Sequence, residues 1–498
     1  MKLNQLIPFL ALIFTSIYLQ SQTISSKIVD GKTKIPIPYA TIQFGKNQGV
    51  ISNEEGKFSF AIDSTTQKLD SIYITSLGYK KTGFTYENLL DSIIYIQPKA
   101  IELGGVYVFN KNLSVEEIVE KMEENLEQNH KNSFLKKRFF LRQSFTDLMR
   151  KVDVEFIKST IAELDEELID STLSVIPRKS SYYTETLGDL YTSSTDNNSN
   201  KLEIIKAAEL YNKANEISGE AIQERFNKIL EQNVKKDSYL KIKSGWFGTK
   251  IQVDSIIENE SAEDAETEEK APEKTNFLPN RKHALKIMHD RMFIKKSNLD
   301  VIRKLSKYSF SLKGYTEIEN AGVYILSFKP KRRADFEGTL FVNVEDFAIM
   351  RIDYGNVKSL KKVKLLGFSY NHHTYKGATV FTKDPAGSYT VKFATFEGGS
   401  SFGVKRPLKI IEKNKHVKGR RKQNELKLEL DIAGNNYYKY ELVVYDIAKS
   451  DANTLKALTE EKNVKPQYLP SYDPNFWKGY TIMEPNQAIK EFTISETN

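Results

Sequence analysis

The side chains best able to bind a metal or move a proton are six histidines, and their spacing speaks against both roles. His372 and His373 are adjacent, and adjacent residues on a strand face opposite sides, so they do not readily share one metal. His283 and His289 are six apart, which sets them on different faces of a helix, unlike the His-x-x-x-His pair of zinc hydrolases. The chain has no cysteine, which removes thiolate ligands, disulfides and a sulfur nucleophile. It has no phosphate-cradling loop or dinucleotide fingerprint. Two carboxylates suffice for glycoside hydrolysis, but among 65 acidic residues some pair must lie close, so this carries no signal. The expectation is therefore no catalytic residue, no metal and no cofactor.

The basic residues carry more content. Lys329, Lys331, Arg332 and Arg333 fall at one connection between strands. Lys405 and Arg406, then Lys413, Lys415, Lys418, Arg420, Arg421 and Lys422, form a second run. Solvated loops that keep sheet edges from pairing account for such charge. The sharper expectation is contact with an anionic envelope surface through Lys331, Arg332, Arg333, Arg420, Arg421 and Lys422. The net charge of +8 is mild for this length and falls short of a nucleic-acid footprint.

Met1 to Ser21 reads as a secretory signal: Lys2 gives a positive start, Leu6 to Leu19 an apolar core, and cleavage is expected near Ser21. That core is short for a membrane span of about 20 residues. The mature chain is expected to be exported, in the periplasm or associated with the outer membrane, with no nucleic-acid partner.

The elements that would position any site are mostly strands. From Tyr308 to Tyr354, four runs alternate apolar and polar residues: Tyr308, Phe310, Leu312; Tyr324, Leu326, Phe328; Leu340, Val342, Val344; and Ala348, Met350, Ile352, Tyr354. Period two makes each a half-buried strand, and short Asn/Gly/Asp connections make an antiparallel meander. Further strands are expected from Phe139 through Phe156, and at 363–370, 379–382, 389–396, 426–430 and 440–445. Ser114 caps a helix to Glu127, with Glu116 and Glu117 in its first turn and Val115, Ile118, Val119, Met122 and Leu126 as its apolar stripe. Lys201 to about residue 236 reads as a helical insertion, 258–274 as an acidic disordered loop, Arg281 to Leu305 as helical, and 466–498 as an aromatic tail. Trp477, with Tyr472, Phe476 and Tyr480, is expected to anchor that tail to the sheet.

Residues 22–99 hold short strands and complete turns of their own, as a sandwich requires. Pro38-Tyr39-Ala40-Thr41-Ile42, then Gly49 to Phe58, then Ser76-Leu77-Gly78-Tyr79-Lys80 resemble the carboxypeptidase regulatory-like domain. The resemblance implies a transthyretin-like β-sandwich whose glycines make turns and whose aromatics pack the core, not a peptidase. Residues 100–498 resemble a set of bacterial envelope proteins in which such a sandwich precedes a helix and a large curved antiparallel sheet. The matching pieces are Phe328-Lys329-Pro330-Lys331, Phe336 to Leu340, Ala348 to Arg351 and Tyr472 to Tyr480, and the set lends no activity.

The expected fold class is mainly β with helical insertions: an N-terminal transthyretin-like β-sandwich, then a large curved antiparallel sheet with packed helices. The leading functional expectation is a non-enzymatic envelope protein that binds a protein partner or an anionic envelope component, with peripheral membrane association. A carrier of a lipid or other apolar ligand in the concave sheet is the second reading, and a hydrolase with an unrecognised site the third.

Overall fold

The computed structural model describes residues 23–44, 49–61, 72–85, 89, 93–99, 113–194, 199–245, 247–252, 276–290, 298–318, 321–331, 333–414, 416–419 and 421–493. The expected signal at 1–21, the acidic loop at 258–274, Arg332, Lys415 and Arg420 lie outside them. The chain is mainly β and divides into two compact units, one of residues 1–100 with 473–490, the other of 101–472 with 491–498.

Among the described residues the first unit holds seven strands: β1 (Thr23–Asp30), β2 (Thr41–Gln43), β3 (Gly49–Ile51), β4 (Lys57–Ala61), β5 (Ile72–Thr75), β6 (Thr82–Phe84) and β7 (Ile93–Ile96). They form two sheets, β4-β1-β7 and β3-β2-β5-β6. Alternation buries Ile24 and Ile28 of β1, Phe58 and Phe60 of β4, Ile74 of β5 and Ile94 and Ile96 of β7 in one core. The turn before β4 depends on Gly56: its φ is 73°, and a Cβ there would stand 2.5 Å from the Ile28 carbonyl oxygen. Asn53 opens the turn by accepting from the amides of Glu55 and Lys57, each at 2.9 Å.

The same turn holds the C-terminal segment. Asn53 Nδ2 donates to the Pro485 carbonyl at 3.2 Å, Glu55 Oε1 accepts from the Gln487 amide at 2.8 Å, and Ser59 donates to Glu484. Residues 473–490 thus belong with the first unit, not with the large sheet as the sequence suggested. The physical reason is polar: the turn offers a carboxylate and a carboxamide that match backbone groups of the tail. Phe476 and Trp477 are buried and meet edge to face at 4.9 Å.

The second unit is built on long strands: β8 (Leu135–Ser159), β9 (Lys179–Thr192), β10 (Lys201–Leu210), β11 (Tyr239–Ser244), β12 (Phe247–Gln252), β13 (Tyr308–Ile318), β14 (Ala321–Pro330), β15 (Phe336–Asn343), β16 (Ile349–Asn356), β17 (Lys361–Leu365), β18 (Phe368–Lys383), β19 (Tyr389–Lys413), β20 (Lys422–Lys449) and β21 (Gln467–Leu469). Their order is β13-β14-β15-β16-β18-β19-β20-β8-β9-β10-β21, with β17 on β18 and the β11–β12 hairpin on β19. Pairing is antiparallel except between β10 and β21. The expected meander is present as β13–β16. Tyr324, Leu326 and Phe328 are buried in its core, so side chains fill the space beneath them.

Helix α1 (Val115–Asn129) has a full capping box between Ser114 and Glu117 and buries Ile118, Met122 and Leu126. Helix α2 (Glu166–Ser174) packs on β8, α3 is Lys213–Asn233, and α4 (Phe277–Asp290) lies across β10, β20 and β19. The expected helix from Lys201 is wrong at its start: 201–210 is strand β10. A bulge between Ile204 and Lys206 shifts its phase, and Ile204, Ile205 and Ala208, one and four apart, have the spacing of one helical face. Likewise 363–370 is not one strand but the β17–β18 hairpin.

Register fixes which residues share the helix-covered face. Tyr354 opposes Gly377, Gly377 opposes Phe396, and Phe396 opposes Tyr440. On this face Phe336, Tyr354, Tyr375, Phe396, Tyr438, Tyr440, Phe145 and Tyr182 form a continuous row with ring centroids 4.6–6.4 Å apart. Gly398 admits Tyr438 to that row, since a Cβ there would sit 2.1 Å from its ring.

Candidate functional site

Past the aromatic row, β18, β19, β20 and β8 continue as an extended arm. Tyr370 opposes Phe402 and Phe402 opposes Gly434; Phe368 opposes Val404, Val404 opposes Ile432 and Ile432 opposes Val152. Alternation therefore gathers Val363, Leu365, Phe368, Tyr370, Phe402, Val404 and Ile432 on one face, continuous with the row. The other face is polar: Asp431 binds Lys151 at 2.7 Å and Lys405 at 3.3 Å. At the far end the apolar face is covered, where Ile410 and Leu426 pack against Leu168 of α2 and Ile229 of α3. In between it is open. Val363, Leu365, Leu366, Phe368, Tyr370 and Phe402 are each 37–58% exposed.

The β17–β18 turn is held in an unusual shape. Leu366 has φ 48° and Gly367 φ 83°, the pair of positive values that a tight hairpin needs. Glycine adopts this freely, but a leucine there is strained. Arg406 holds it: the guanidinium donates to the Leu366 carbonyl, to the Ser244 carbonyl and, at 2.7 Å, to Ser244 Oγ, and it stacks 4.8 Å from the Phe368 ring. One buried arginine thus ties the β17–β18 turn to the β11–β12 turn. Every residue of β17 is exposed, so Lys361, Lys362 and Lys364 flank the apolar tip.

The basic residues singled out from sequence are not brought together. Lys331 and Arg333 are exposed in the β14–β15 connection, while Arg421 is exposed and Lys422 half-buried at the β19–β20 hairpin. The register between them runs from Glu397 to Lys413 along β19, which spans about 50 Å. Lys422 is also engaged: with Lys409 it pairs to Glu425, and these bonds push the Glu425 carboxyl down to about 2. The described members thus lie in two separate loops, as the two runs of the sequence imply, and Lys422 is paired within the sheet.

The adjacent histidines are separated as strand geometry requires. His372 meets Tyr375 at 5.9 Å and His373 meets Tyr437 at 5.8 Å, on opposite faces of β18. His283 is exposed on α4, whereas His289 is half-buried and lines a cavity. No group of three or more His, Cys, Asp or Glu among the described residues is arranged to hold a metal ion. The same cavity, at the end of α1, contains His130, which sequence reasoning passed over. Burial, reinforced by His289, pushes its pKa down to about 4. Phe381 meets it edge to face at 4.8 Å. Its one legible signal is position, directly after the last turn of a capped amphipathic helix. No helix among the described residues is long and apolar enough to cross a membrane.

No family model and no curated protein matches the chain. Among solved structures, it is similar to a LolA superfamily protein from Nitrosomonas europaea, with 9% identity over 68% of this chain and 94% of that one, at a TM-score of 0.15. A DUF1329 family protein from Desulfovibrio piger gives 9% identity over 69% and 95%, at 0.18. MucB in complex with MucA(peri) gives 6% over 63% and 93%, at 0.15. At these scores the similarities carry no argument about fold or function.

Proposed function

We propose that this chain is an exported, non-catalytic binding protein of the cell envelope whose arm rests on an anionic lipid surface. One observation carries the reading: the β17–β18 hairpin presents Val363, Leu365, Leu366 and Phe368 to solvent beside Lys361, Lys362 and Lys364. Contiguous apolar exposure marks a contact site, and the adjoining lysines select an anionic partner over a neutral one. Their long side chains can keep the charge in the headgroup layer while leucine and phenylalanine enter deeper. The strained, clamped turn at Leu366 fits a tip held ready rather than ordered on contact. In this reading the first unit is a carboxypeptidase regulatory-like sandwich acting as a structural module. Its seven strands in two sheets around one core support that assignment.

The test is sedimentation of the mature protein with phosphatidylglycerol and phosphatidylcholine vesicles. Lysines near an anionic surface contribute about 1 kcal/mol each, so changing Lys361, Lys362 and Lys364 to Gln should weaken phosphatidylglycerol binding about 100-fold. Changing Leu365, Leu366 and Phe368 to Ser should also weaken it, and raised salt should weaken the wild type but not the Gln variant. Equal binding of the Ser variant and wild type would move the contact elsewhere.

A further inference from the structure

The cavity at the end of α1 is separate from the arm and has its own chemistry. It encloses about 350 Å³, within the ~300–1,000 Å³ typical of small-ligand sites. Leu126, Leu135, Phe381 and Val391 give it an apolar side, and Lys131, Lys137 and Arg303 bring positive charge. Of its two acids, Asp384 is committed to the β18–β19 hairpin, where its Oδ1 accepts from the Ala386 amide at 2.7 Å and the Ser388 amide at 3.1 Å. Glu127 is exposed on α1. Lys137 is only 3% exposed, and its Nζ donates to Thr390 Oγ1. Its ammonium is therefore fixed on the sheet at the inner wall. A cation held out of bulk water attracts an anion more strongly than one at the surface. Beside it, His130 is kept neutral down to about pH 4 and can take part in hydrogen bonding without adding charge.

We propose that this cavity binds a small organic anion, with its carboxylate or phosphate head against Lys137, Lys131 and Arg303 at the mouth, and a short apolar body against Leu126, Leu135, Phe381 and Val391. The inference does not depend on the arm reading.

Calorimetric titration of the mature protein with hexanoate and hexyl phosphate tests it, with hexanol and hexylammonium as controls of equal chain length. Both anions should bind at one site, the controls should not, and the ratio of the two affinities identifies the preferred head group. Lys137→Met should weaken anion binding 10-fold or more. Arg303→Gln, at an exposed position, should weaken it several-fold and leave the melting temperature unchanged. Phe381→Trp narrows the apolar side and should weaken hexanoate more than acetate. Hexanol binding as tightly as hexanoate overturns the proposal, as does the absence of anion binding. Unchanged anion affinity in the Arg303→Gln and Lys137→Met variants overturns it too. If Lys137→Met does not fold, Arg303→Gln and the hexanol control decide between the outcomes.

Discussion

The most demanding consequence of the fold concerns Arg142, which is fully buried on β8. Its Nε and Nη2 each lie 2.7 Å from Glu185 Oε1, and Nη1 is 3.9 Å from Glu441. Burial acts to strip its charge, and Glu185 and Glu441 outweigh that, holding its pKa above the ordinary arginine value. Removing one partner of such a group is worse than removing all, because the charges left behind stay out of water. Arg142→Met should therefore destabilise by about 3–5 kcal/mol. Glu441 keeps Lys439 at 3.0 Å, so most of the loss is expected at Glu185. Replacing the cluster together, as Arg142→Met with Glu185→Leu and Glu441→Gln, should return stability to within about 1 kcal/mol of wild type. Urea unfolding followed by circular dichroism gives the readout. At a slope of about 3 kcal/mol per molar urea, the single variant's midpoint should fall by about 1 M or more. A single variant within about 1 kcal/mol of wild type, or a triple variant no better than the single, would refute the charge-burial argument and leave packing against Phe140 as the main role of Arg142.

His130 sets a pH dependence: its folded pKa of about 4 lies below an unfolded value of about 6.5, so the stability it contributes is complete above 6.5 and is lost as pH falls toward 4. Wild type should lose about 2 kcal/mol between pH 7 and 5 relative to His130→Phe, and parallel pH profiles of the two would count against this. Arg406→Gln should speed amide exchange in 361–370 and 239–244 by about tenfold or more while leaving the meander protected; uniform exchange across the sheet would show that the clamp is not local. Asn53→Ala removes one of the holds on the C-terminal segment, leaving those of Glu55 and Ser59, together with its own bonds to the Glu55 and Lys57 amides, so proteolysis should release 473–490 faster. A fragment of 22–99 alone should accordingly melt lower than one carrying 473–490 through a linker, and equal melting would refute a structural role for the segment.

The parts of the fold that were legible share a property: each satisfies its own local rule. The meander alternates without interruption over Tyr308–Leu312 and Tyr324–Phe328, so period two was visible. Helix α1 was visible because its cap, acidic first turn and apolar stripe agree. The long strands were seen only in pieces. β8 carries an extra residue at Ile157 and another at Arg150, β20 carries one at Tyr445, and each bulge resets which parity of its own strand faces inward. β9 was invisible for the opposite reason. Its positions from Tyr183 to Thr192 are buried on both faces, so it has no alternation to read. The C-terminal segment went to the wrong unit because its capture depends on hydrogen bonds between residues more than 400 apart in sequence, such as Asn53 and Pro485.

The candidate site was hidden by the same rules that exposed the meander. Val363, Leu365, Phe368 and Tyr370 have the composition of core strand residues, and nothing in their order says that one side stays open. Exposure is decided by what covers the face. α2 and α3 cap the end of the arm at Leu168 and Ile229, and α4 crosses the sheet at the aromatic row, leaving a gap between. The hairpin itself had a signal, because Leu366-Gly367 between two alternating runs is an X-Gly pair of the kind that tight turns use. Taken as a turn, it would have moved Lys364 from the interior of an expected strand to a free edge beside apolar residues, with Lys361 and Lys362 next to it. Charge runs such as Lys418 to Lys422 draw attention in a sequence because they are contiguous. A surface that must meet both headgroups and hydrocarbon has to interleave lysine with leucine, and that pattern is the same one a half-buried strand uses. The distinction between them lies in the cover, so only the placement of α2, α3 and α4 in three dimensions separates a core strand from a contact surface here.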